Sequence, residues 1–231
     1  ESRCQYLTNQ YQIYATPQNL AVINQGELVI LATKPQNLPE VAAEIKSHLI
    51  PDQTVVSIIA GIQISGLITS LSHQSIIRVM PNTPAQIGAG MSLWICSPDI
   101  AAGAISNTQS ILKTLGDDIR VYDEKYMDMA TALSASGPAY VFMFIESLIH
   151  AGVYLGLPRS LAERLTLQTV MGSAKLAQQS QKHIAELKDS VSSPGGTTVE
   201  GLLALEEGEF RSTVVNAVVA AYEKSLTLGK Y

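Results

Sequence analysis

The chain has 231 residues, a formal net charge of -5, and 15% charged against 46% hydrophobic residues. So few charges, with no long basic run, give no support for nucleic-acid binding; they point to a large core or to helical faces that meet other subunits. Cys4 and Cys96 stand far apart in no motif, which argues against a disulfide framework or zinc site and suits a reducing, cytoplasmic compartment.

In chain order, "QIYAT" (12–16) reads as a short edge strand and "ELVILAT" (27–33) as a strand ending at Lys34-Pro35. "PEVAAEIKSHL" (39–49) has helical spacing, "TVVSIIAG" (54–61) is a strand stopped by Gly61, and "SGLITSL" (65–71) is a short helix. "SIIRVM" (75–80) and "GMSLWIC" (90–96) are further strands on either side of "PNTPA". A helix over 99–116 ends at a glycine cap, and "IRVYD" (119–123) is the last strand. Strands alternating with helices predict βαβ units and a largely parallel sheet. Beyond residue 123 the pattern turns helical, over 124–133, 137–156, 159–180, 183–189, 197–206 and 209–229. The expected organisation is an α/β domain over 1–123 and an all-helical domain over 124–231. The longest apolar run, 139–156, is interrupted by Glu146 and His150, so it reads as a buried helix rather than a membrane span, with Val141, Ile145 and Leu148 as its core stripe.

Three strand ends carry small residues, Pro or Gly: "ATKPQ" (32–36), "IIAGI" (58–62) and "VMPNTPAQIGAG" (79–90). Parallel α/β sheets bind ligands at the carboxyl ends of their strands, and such residues let a flat ligand approach the backbone. Three in succession predict a dinucleotide crevice. The G-x-G-x-x-G loop of such domains is not among these residues, and the chain opens on Glu1. The expectation is a dinucleotide-binding domain without its first strand, glycine loop and first helix, a segment expected in the working protein.

In the helical half, Ser136 reads as the N-cap of a helix with Pro138 in its first turn. Thr197-Thr198-Val199-Glu200 reads as a capping box fed by the turn Pro194-Gly195-Gly196. Ser190, Ser192 and Ser193 are left over by that reading. A helix start preceded by Gly-Gly and ringed by hydroxyls is also a carboxylate site, because free N–H groups and the helix dipole favour an anion. His48, His73, His150 and His183 fall in no nucleophile or metal arrangement. Asp117, Asp118, Asp123 and Glu124 read as a solvated acidic edge.

"RVMPNTPAQIGAG", "ALSASGPAY", "GLPRSLAERLTLQTVMGSAKL" and above all "DSVSSPGGTTVEGL" together resemble pyrroline-5-carboxylate reductase, from about Tyr14 to Leu226. The resemblance implies an NAD(P)H-dependent oxidoreductase that reduces the cyclic imine 1-pyrroline-5-carboxylate to L-proline in proline biosynthesis. It implies a Rossmann-like cofactor domain, here N-terminally incomplete, and a helical domain that interlocks with a second copy, with dimers joining into decamers. NADPH is the implied cofactor, with NADH the alternative; no metal, membrane or nucleic acid is implied. By matching motif, Asn19, Thr33, Lys34 and Ala60 resemble cofactor contacts, and Met80, Pro81 and Asn82 lie beside the nicotinamide. Ser193, Gly195, Gly196, Thr197 and Thr198 resemble the substrate cradle, with Thr198 as the catalytic hydroxyl near the ring nitrogen. Glu124 matches a substrate contact of some members, and Ser190 stands where others have Asn. Two rivals remain. A β-hydroxy-acid dehydrogenase needs a catalytic Lys on its interdomain helix, and residues 137–156 hold none. A non-catalytic assembly protein would rest on the missing glycine loop alone.

Overall fold

A computed structural model describes residues 2–228. Within them the chain forms two compact units, 2–136 with 221–228, and 137–220. The first holds a five-stranded sheet whose strands follow one another in sequence order. They are β1 (Leu28–Leu31), β2 (Thr54–Ser57), β3 (Ile76–Met80), β4 (Gly90–Cys96) and β5 (Gly116–Arg120). β1, β2 and β3 run parallel, β4 is antiparallel to β3, and β5 is parallel to β4. Every residue of β2 and β3 is buried, as expected of central strands covered on both faces.

Alternate residues feed two cores. Val55, Ile76 and Met80 face Leu38, Ile45, Leu67, Leu71 and Met127. Val56, Ile77 and Val79 face Trp94 and Leu112 on the other side. The covering helices are α2 (Leu38–Ile45), α3 (Ile64–Leu71) and α4 (Ala102–Leu115); α1 (Ser2–Tyr11) precedes them and contributes none of its described residues to either core.

Two sequence expectations shift here. Residues 12–16 are not a strand: Gln12 turns out of α1 with φ 55°, and Ile13 and Tyr14 stay exposed, with no apolar face to bury. The last strand starts at Gly116 rather than residue 119, because that glycine both caps α4 and begins β5 with φ 140°. A Cβ there would collide with the Gly90 backbone, so the tight passage from helix to strand needs glycine.

The helices beyond residue 123 are α5 (Lys125–Ala130), α6 (Gly137–Tyr154), α7 (Arg159–Gln179), α8 (Ile184–Ser190), α9 (Thr197–Glu207) and α10 (Phe210–Leu228). They match the six expected, and residue 229 of the last lies outside the described residues. α5 and α6 differ from expectation in being joined by a π-turn, Thr131–Ala135, into one helix over Lys125–Tyr154. Ser136 is therefore not an N-cap. It is helical (φ -82°, ψ -24°), and its N–H donates to the Thr131 carbonyl at 2.9 Å.

The apolar helix is also not buried within one chain. Among the described residues of α6 only Ile149 is buried, while Val141, Phe142, Met143, Phe144 and Leu148 are exposed. By length and composition alone, Lys125–Tyr154 is long and apolar enough to cross a membrane.

Candidate active site

Because β1, β2 and β3 are parallel and in register from Leu31 through Ser57 to Arg78, their carboxyl ends lie on one edge of the sheet. That edge gathers Thr33 and Lys34 after β1, Ala60 after β2, and Met80, Pro81 and Asn82 at the end of β3. Asn19 sits apart from the strands in a 3-10 turn, where its carboxamide donates to Glu44 of α2 at 2.8 Å.

One observation at the edge bears directly on a cofactor. The Thr33 hydroxyl is buried without a hydrogen-bond partner. Such a group costs about 1–3 kcal/mol until something bonds it. The exposed Lys34 ammonium is its chain neighbour. An orphaned hydroxyl and a cation, on strand ends that bind nucleotides in parallel sheets, fit a phosphorylated dinucleotide.

Arg78 of β3 is fully buried. Its guanidinium donates to Glu124 Oε1 at 2.9 Å and to Asp128 Oδ1 at 3.3 Å. Glu124 Oε1 also accepts the Ile64 N–H that opens α3 (2.8 Å), and Asp128 accepts the buried Ser225 hydroxyl (2.9 Å). The structure thus places Glu124, expected at substrate, in a network joining β3, α3, α5 and the end of α10. Glu124 and Asp118 also leave the solvated acidic edge, since Asp118 accepts the buried Trp94 indole N–H at 2.8 Å and Gln109 at 3.2 Å. Sequence reasoning passed over Arg78 and Asp128. The available signals were a lone arginine in the apolar run "SIIRVM" and carboxylates at 124 and 128, one helical turn apart. Burial pushes the Cys96 thiol up, against a smaller opposing pull from Arg120. Among the described residues, no three His, Cys, Asp or Glu side chains converge as metal ligands would.

In the helical unit, Ser193-Pro194-Gly195-Gly196 is a turn closed by the Gly196 N–H to the Ser193 carbonyl (2.9 Å). Pro at its second position and Gly195 at φ 67° in the third make it type II. The expected capping box does not form. Gly196 itself is the N-cap of α9, in extended conformation and with no side-chain cap, so Thr197 is already helical. The N–H groups of Thr197 and Thr198 then belong to the open first turn, which has no helical acceptors for them. Ser193, Gly195, Thr197 and Thr198 are exposed around this opening. Ser190 and Ser192 are occupied: their hydroxyls donate to Leu187 and Lys188 carbonyls of α8, at 2.7 and 2.8 Å. What remains is an N–H and hydroxyl cradle suited to a carboxylate.

Comparison with known proteins matches residues 124–228 to the family described as pyrroline-5-carboxylate reductase dimerisation, and residues 1–61 to NADP oxidoreductase, coenzyme F420-dependent. The chain is 41% identical to pyrroline-5-carboxylate reductase of Synechocystis over 229 residues, covering 99% of this chain and 85% of that protein. It is 39% identical to the Escherichia coli enzyme of that name, covering 97% and 83%. The crystal structure of Plasmodium falciparum pyrroline carboxylate reductase with NADP bound superposes with a TM-score of 0.90 at 36% identity, covering 94% of this chain and 83% of that one. With the strand edge, the α9 cradle and this near full-length similarity together, the chain belongs to the pyrroline-5-carboxylate reductase family.

Proposed function

We propose that the protein reduces 1-pyrroline-5-carboxylate to L-proline with NADPH. The observation that carries this reading is the uncapped start of α9, where the type II turn at 193–196 leaves backbone N–H groups and the hydroxyls of Ser193, Thr197 and Thr198 open to a small carboxylate. A site with no arginine or histidine suits one carboxylate better than a phosphate.

Little acid–base work is needed from side chains. A protonated imine is already an electrophile, so the protein's main task is to fix its orientation. In this reading the Thr197 and Thr198 N–H groups hold the carboxylate, and Gly195 and Gly196 let the ring lie close to the backbone. The Thr198 hydroxyl orients the ring nitrogen, contributing about 1 kcal/mol as a neutral hydrogen bond. When bound at the strand edge, the nicotinamide supplies the hydride to the imine carbon. Asn19, Thr33, Lys34 and Ala60 contact that cofactor, and Met80, Pro81 and Asn82 lie beside its nicotinamide. The NADP held by the Plasmodium relative supports NADPH as donor, with NADH the alternative. Glu124 reaches substrate only if the Arg78 network yields it.

The exposed apolar face of α6 and the dimerisation-family match support a homodimer through the helical domain, with dimers joining into a decamer. A second copy, rather than a membrane or nucleic acid, covers that face, and the enzyme works in the cytoplasm. Incubating the full natural protein with NADPH carrying deuterium at both C4 positions and the imine tests the reading: deuterium should appear at carbon 5 of proline. Deuterium absent from proline, or no imine-dependent oxidation of NADPH, contradicts it.

A further inference from the structure

The loop after β3 is fastened on both sides of Met80-Pro81 to one helix. Two residues before Met80, Arg78 grips Glu124 and Asp128, which flank the first turn of α5. Two residues after it, Asn82 reaches the π-turn that follows α5. Its Nδ2 lies 3.3 Å from the Ser134 carbonyl oxygen and 3.4 Å from the Ser134 hydroxyl. Its Oδ1 accepts the N–H of Met91 in β4 at 2.9 Å. A backbone N–H can only donate, so the oxygen of the carboxamide faces Met91 and the NH2 faces Ser134.

The acceptor at Ser134 has a cause in the sequence. In an uninterrupted α-helix the carbonyl of residue 134 would accept the N–H of residue 138. Residue 138 is proline and has none. The helix passes this point through the π-turn, with Ser136 N–H bonded five residues back to Thr131. The Ser134 carbonyl is left for a donor from outside the helix, and Asn82 provides it. π-turns inside helices recur at functional sites.

We propose that Asn82 is a positioning residue for hydride transfer. Its carboxamide ties the Met80-Pro81 loop to the proline-orphaned carbonyl of Ser134 and so sets where that loop stands at the cofactor edge. This rests on the reductase reading above and assigns Asn82 a role through the loop rather than as a ligand of the cofactor.

Asn82→Asp tests it, because the shape and the acceptor for Met91 are kept while an oxygen is set against the Ser134 carbonyl. The expected result is a fall in kcat of about tenfold or more, with the KM for NADPH within about twofold. The deuterium isotope effect on kcat, measured with NADPH carrying deuterium at both C4 positions, should rise, as hydride transfer becomes slower than product release. Pro138→Ala restores an N–H that competes for Ser134, and should give a smaller change of the same kind. In the double variant the two losses should not multiply, since both act on one bond. If Asn82→Asp does not fold, Pro138→Ala carries the same isotope-effect test alone. An Asn82→Asp enzyme with unchanged kcat and isotope effect overturns the role. So does a raised KM at constant kcat, or losses that multiply in the double variant. A wild type that does not turn over the imine overturns the reductase reading, and this role with it.

Discussion

At φ 67°, Gly195 holds a left-handed conformation that costs other residues roughly 1–2 kcal/mol, and the turn it completes leads straight into the open end of α9. No atom lies within 4 Å of a Cβ built there, so Gly195→Ala acts through backbone strain alone. Its KM for the imine should rise severalfold while the KM for NADPH stays constant, as steady-state kinetics with each substrate varied in turn will show. Thr198→Ala removes one hydrogen bond of about 1 kcal/mol, so kcat/KM for the imine should fall about fivefold, with a raised KM and lower turnover. Unchanged kinetics would remove Thr198 from the site. At this scale the turn and the helix start were legible in "SSPGGTT", but the cap was misplaced. T-x-x-E spacing is shared by a true capping box and by a first turn that already follows a glycine cap, and only the backbone angles of Gly196 separate them.

Among the elements, β3 carries the largest electrostatic commitment. Arg78 is fully buried between Glu124 and Asp128, and removing one partner of such a group strands uncompensated charge at about 3–5 kcal/mol. Arg78→Met should therefore lower the urea midpoint strongly. The exposed Asp123–Lys125 pair at 2.7 Å is a contrast. Hydrogen bonding to Lys125 lowers the Asp123 carboxyl and the same bond raises the Lys125 ammonium, yet both groups are open to solvent. Asp123→Asn should leave the midpoint where it is, because water and salt screen such pairs. A strand that hides an arginine still reads as a strand, so "SIIRVM" was placed correctly. The lone arginine and the two carboxylates a turn apart were visible in the sequence, but their pairing was not, because Glu124 and Asp128 lie 46 and 50 residues away. The π-turn escaped for a related reason: Ser136 and Pro138 have the composition of a helix start, and only the bonding of Ser136 to Thr131 shows that the helix runs through.

For the whole molecule, the alternation of strands and helices up to residue 123 and the helical run beyond it were legible because periodicity and breakers agree over long segments. What covers the apolar helix was not, since a buried core and a subunit interface have the same sequence pattern. Phe142 and Met143 are 61% and 71% exposed in the single chain. Replacing both with Glu should dissociate the assembly in light scattering and reduce activity with it, because such a face needs a partner. The most direct test of the account remains steady-state oxidation of NADPH by the full natural protein with 1-pyrroline-5-carboxylate, run beside a β-hydroxy acid with NADP. Saturable, imine-dependent oxidation with proline formed in equal amount is expected, and no reaction with the hydroxy acid. Hydroxy-acid oxidation, or an assembled protein that turns over neither substrate, would contradict it.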